Sequence, residues 1–174
     1  MRSFVNAAMI ISSVAISATA FGAAENNPGE IDLTSYFAGI EKNCAEGNRL
    51  TEAILTWMAP DQKGRLPSIK STAANLRPIL MHTKVEESGE SWSVSAMLAN
   101  ANYKGIPVTR IDRWTGKNNG ISGFSLVFAE SLATVSKKLR VAKRDKNSEE
   151  PGPELYGTSG KGKRVSSLVC DFSN

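Results

Sequence analysis

Apolar and polar positions along the chain follow one period in its first half and another in its second. From Leu33, apolar residues recur at Leu33, Tyr36, Phe37, Ile40 and Cys44. This is the 3.6-residue stripe of an amphipathic helix, with Asp32 or Thr34 as its cap. Gly47-Asn48 breaks or kinks it, and a second run places Leu50, Ile54, Trp57 and Met58 on one side until Pro60 stops it. A third short helix is predicted from Leu66, Ile69, Ala73 and Leu76, with Pro67 at its first turn and Pro78 at its end.

Beyond Pro78 the period becomes two. Ile79, Met81, Thr83 and Val85 alternate with Leu80, His82, Lys84 and Glu86, and Trp92, Val94, Ala96 and Leu98 alternate with small polar residues. With Glu87-Ser88-Gly89 between them, the two runs predict a hairpin. Asn100 to Gly105 reads as a break. Ile106 to Trp114 and Ile121 to Ala129 then predict a central hairpin whose turn carries Asn119-Gly120, a favoured tight-turn pair. Ser131 caps a further helix with Leu132, Val135 and Leu139 inward, and Val165 to Phe172 closes the chain as a strand. The predicted class is α+β: N-terminal helices packed on an antiparallel sheet of about five or six strands, with one further helix after the central hairpin.

The first two dozen residues change the picture of where the protein works. Arg2, an apolar stretch from Phe4 to Phe21, and the small-residue sites Ala18-Thr19-Ala20 and Gly22-Ala23-Ala24 have the form of a secretory signal, residues 1–24. Residues 25–174 are then one α+β domain, and no later stretch is apolar for the roughly 20 residues that a membrane-spanning helix needs. The expected location is the periplasm, with full secretion as the variant.

An oxidising compartment permits disulfides, and the two cysteines, Cys44 and Cys170, both fall on inward positions, so a bridge between them is predicted. Two cysteines and one histidine are too few soft ligands for structural zinc, and neither a metal nor a cofactor is expected. The formal net charge is +4. Lys137, Lys138, Arg140, Lys143 and Arg144 crowd one segment that could meet an anionic envelope surface, whereas the compartment argues against nucleic acid.

Catalytic patterns are weak. His82 has the look of an ordinary strand histidine, and Glu86, Glu87 and Glu90 that of a solvated turn. Asp112 suits a cross-strand charge pair and Glu130 the start of a helix. Gly157 to Arg164 resembles a phosphate-binding loop in spacing, but Arg164 stands where Ser or Thr is required and a strand is predicted to follow. Tryptophan beside an adaptable polar loop suits recognition, which singles out Trp114, Lys117, Asn118, Asn119 and Phe124 as binding residues. The function expected is that of an exported non-enzymatic binding protein, an inhibitor or immunity protein for a partner protein in the envelope. The alternative is a small envelope hydrolase acting on cell-wall polymer.

Overall fold

The computed structural model describes residues 29–44, 48–69, 71–142, 152–160 and 163–173. The signal segment 1–24 and the basic residues Lys143 and Arg144 lie outside the described residues. The architecture corrects the predicted class. Among the described residues the fold is mostly sheet: seven strands in one mixed sheet, with only short helices, rather than N-terminal helices packed on an antiparallel sheet. The strands are β1 (Ile31–Asp32), β2 (Leu80–Ser88), β3 (Ser91–Tyr103), β4 (Ile106–Gly116), β5 (Ser122–Phe128), β6 (Glu154–Gly160) and β7 (Lys163–Asp171). Their order is β1-β3-β4-β5-β7-β6, with β2 also paired to β3. β1 runs parallel to β3 at Ala101 and Asn102, and the other pairings are antiparallel.

The N-terminal correction has an identifiable cause. Leu33, Tyr36, Phe37, Ile40 and Cys44 are all buried, as a helical stripe would be. The backbone, however, makes a 3-10 turn over Leu33–Ser35 and then successive turns, because Gly39 enters the left-handed region at φ 85° and stops helical propagation. Its carbonyls are taken up by other parts of the chain instead. Asn48 Nδ2 donates to Ser35 O at 2.7 Å, the Thr51 hydroxyl donates to Tyr36 O, and the Tyr103 hydroxyl donates to Phe37 O at 3.0 Å. Buried backbone groups need partners, and here tertiary donors replace intrahelical ones.

The second predicted helix exists as α1 (Arg49–Trp57). Asn48 starts it, its Oδ1 accepting from Leu50 N at 2.8 Å and Thr51 N at 3.0 Å. The third is a 3-10 helix over Ser71–Ile79 that contains Pro78 and leaves Pro67 in the preceding irregular segment. Leu76 and Ile79 anchor it in the core. The helix after the central hairpin is α2 (Leu132–Lys138), with Val135 and Leu139 buried. Leu132 is 40% exposed and covers Gly157 on β6, where an added Cβ would come within 3.0 Å of the Leu132 Cβ.

Bulges explain the strand positions that depart from alternation. A register shift between Leu80 and His82 leaves Met81 71% exposed and restores Thr83 and Val85 to the inner phase. A second lies between Met97 and Ala101, with Asn100 at φ 52°. It carries β3 through the predicted break, so Tyr103 ends the strand fully buried. The inner face carries Val94, Ala96, Leu98, Ile111, Phe124, Leu126, Phe128, Leu168 and Cys170, on which the N-terminal turns and α1 pack. Cys44 and Cys170 are joined in a disulfide with Cα atoms 5.5 Å apart, tying the turn segment to β7.

Candidate functional site

The tips of two hairpins lie together at one end of the sheet. Pairing of Ser91 with Gly116 and of Thr115 with Ser122 brings the β2–β3 turn beside the β4–β5 turn. Lys117 fastens them. Its backbone N–H donates to Glu90 O at 2.8 Å, and its ammonium donates to Gly89 O at 3.1 Å and pairs with the Glu87 carboxylate. The same ammonium lies 4.9 Å from the centre of the Trp92 ring, within cation–π range. Trp92 is held from another side by the loop between α1 and the 3-10 helix, since a Cβ on Gly64 would fall 2.9 Å from the ring.

Asp61 closes that loop, accepting from Lys63 N at 2.8 Å and from Arg65 N at 2.9 Å while pairing with the Arg65 guanidinium at 2.7 Å. These contacts, led by the Arg65 backbone bond, hold the Asp61 carboxyl down to about 2. The β4–β5 turn has its own internal bonds. Gly116 N donates to Ile121 O at 2.6 Å, and Asn119 Oδ1 accepts from Ile121 N at 3.2 Å. Asn119 folds so closely over Gly116 that a Cβ there would sit 1.7 Å from its Oδ1.

The predicted binding residues divide on this geometry. Lys117, Asn118 and Asn119 share the exposed tip. Trp114 is half-buried on the outer face, its ring lying over its cross-strand partner Gly123, where a Cβ would meet it at 2.1 Å. Phe124 is placed elsewhere: it is 1% exposed, with its ring centre 5.7 Å from Phe37 and 6.1 Å from Phe172, so it builds the core. No family model, curated protein or solved structure matches the chain. What the tip can do therefore rests on its own chemistry. It presents amide groups and Ile121 at 36% exposure from a turn fixed at several points, with the Lys117 ammonium committed to the clamp.

The remaining sequence candidates are dispersed. His82 is exposed on β2 opposite Met97. Asp112 pairs with Arg110 two positions along its own strand at 2.8 Å and accepts from Ser95 across the sheet at 2.7 Å, so the cross-strand contact is a hydrogen bond and the charge pair is local. Glu130 pairs with Lys138 at 3.0 Å. In the phosphate-loop lookalike, β7 begins at Lys163, where a helix would be required. Among the described residues no group of three or more His, Cys, Asp or Glu is placed to hold a metal ion, and no helix is long and apolar enough to cross a membrane.

Trp92, Glu87 and Ile121 belong to the tip but were not among the predicted binding residues. The Trp92–Lys117 contact joins residues on different hairpins, which no local pattern signals. Arg113 was also missed, although it is a charged residue in the phase that carries Ile111 inward.

Proposed function

We propose that this chain is an exported, periplasmic binding protein that engages a partner protein through the β4–β5 tip, in the manner of an inhibitor or immunity protein. The observation that carries the proposal is the Lys117 clamp, which fixes an exposed polar turn to a second hairpin. A turn ordered before contact loses little further conformational freedom on binding, so its contacts translate into affinity more fully. The disulfide fits an oxidising compartment. Lys137, Lys138 and Arg140, all exposed near the end of α2, supply a basic patch that complements an anionic envelope surface.

Photo-crosslinking tests the proposal. A benzophenone side chain at Asn118 is expected to capture one discrete partner in intact cells. The same group at Met81, exposed on β2, serves as the control and should not. Equal capture from both positions, or none from Asn118, would remove the tip as the interface. Mass spectrometry of the purified protein checks export, with a mature N-terminus after Ala20 or Ala24 as the expected result.

A further inference from the structure

On the inner face of the sheet, near the same end, Arg113 stands between Val94 on β3 and Phe124 on β5, its register partners, each 1% exposed. Its Nε–H is used on the Thr115 hydroxyl at 3.2 Å. None of the ion pairs found among the described residues includes it. A guanidinium has five N–H donors in a planar fork that matches a carboxylate, so most of this donor set is still available. Burial disfavours the charged form and lowers its pKa, yet arginine stays charged at any physiological pH.

Arg113 lines an open cavity of about 310 Å³ between α1 and the sheet. Leu55 and Thr56 form its helical wall and Phe124 and Phe172 its aromatic wall. Glu52 also lines it, and no ion pair among the described residues joins it to Arg113. The cavity thus combines one cationic residue with apolar walls, and the partial burial of Arg113 strengthens a charge-assisted hydrogen bond made to it.

We infer that this cavity binds a carboxylate carried on a compact apolar group, with the carboxylate on Arg113 and the apolar group against Leu55, Phe124 and Phe172. Such a group could be a free small acid or the C-terminal residue of a polypeptide, and both share this chemistry. The inference is independent of the tip, and crosslinking at Asn118 can fail without affecting it.

The test titrates N-acetyl-leucine into the isotope-labelled protein and follows the Arg113 Nε–H resonance. A saturable shift is expected, with binding at least about tenfold tighter than for N-acetyl-leucinamide, which lacks the charge, or for acetate, which lacks the apolar group. A tripeptide ending in leucine that binds as well as N-acetyl-leucine assigns the polypeptide source; one that is excluded assigns the free acid. Arg113→Gln should lose at least about tenfold in affinity. Glu52→Gln should tighten binding by removing a like charge, and it serves as the second variant if Arg113→Gln does not fold. Equal affinity for acid and amide, no saturable shift at Arg113, or weaker binding by Glu52→Gln would overturn the inference.

Discussion

The N-terminal segment from Leu33 to Cys44 and the β4–β5 hairpin carry equally clear apolar patterns, yet only the hairpin takes the backbone form its pattern names. In β4 and β5 each inward residue is also a ladder partner: Ile111 pairs with Leu126 and Arg113 with Phe124. Burial and backbone hydrogen bonding are satisfied by the same geometry. In the N-terminal segment they separate. Leu33, Phe37 and Ile40 are fully buried, while the carbonyls of Ser35, Tyr36 and Phe37 bond to Asn48, Thr51 and Tyr103. An apolar stripe specifies which side chains leave water. It specifies the backbone only when no outside donor offers the carbonyls another arrangement.

The largest effect should come from cutting the tie that the turn segment needs and the hairpin does not. The Cys44–Cys170 bridge spans 126 residues of sequence. In the chain-entropy model a loop of that length contributes up to about 5 kcal/mol, less any strain. The Cys44→Ser, Cys170→Ser double variant should therefore show a much lower urea midpoint, with amide protection lost first in residues 33–44. An unchanged midpoint would show that the segment holds itself.

A smaller effect is expected at Tyr103, the last residue of β3, whose hydroxyl ties the N-terminal segment to the sheet. Its one proton is shared between Phe37 O and, at 2.5 Å, the buried Glu41 carboxylate, which also pairs with Lys104. Tyr103→Phe should cost about 1–3 kcal/mol in denaturant unfolding, because it strips a partner from buried acceptors. Burial alone would raise the Glu41 pKa, but the hydrogen bonds from Lys104 and Tyr103, a backbone bond and the Lys104 charge together outweigh it and the net shift is downward. The folded pKa lies below the ordinary value of 4.5, so the Glu41 contribution is complete above that pH and is lost as pH falls through the folded value. Tyr103→Phe should flatten this acid limb; an unchanged limb would show that the hydroxyl does not stabilise the carboxylate.

Much of the sheet was legible because period-two alternation and turn residues agree from Leu80 to Phe128. The bridge was legible from the inward phase of both cysteines. The paired strand β1 was not, since two residues carry no period. Nor was the length of β3, because the bulge at Asn100 resembles a break. At the tip, Lys117, Asn118 and Asn119 were legible as a polar turn. The Trp92 contact was hidden because it depends on a cross-hairpin geometry that forms only with the sheet. Phe124 was mistaken for a surface neighbour of the turn, although its alternation with Leu126 and Phe128 already placed it in the core phase.

Amide hydrogen exchange across the tip tests the preformed turn most directly. The Gly116 and Lys117 amides are bonded to Ile121 O and Glu90 O, and they should exchange far more slowly than those of Asn118 and Gly120. Lys117→Met should accelerate exchange in the β2–β3 turn and leave the β4–β5 ladder protected. A Lys117 amide that exchanges as freely as its exposed neighbours in the unmodified protein would contradict a preformed tip, and with it the binding role proposed for that end of the sheet.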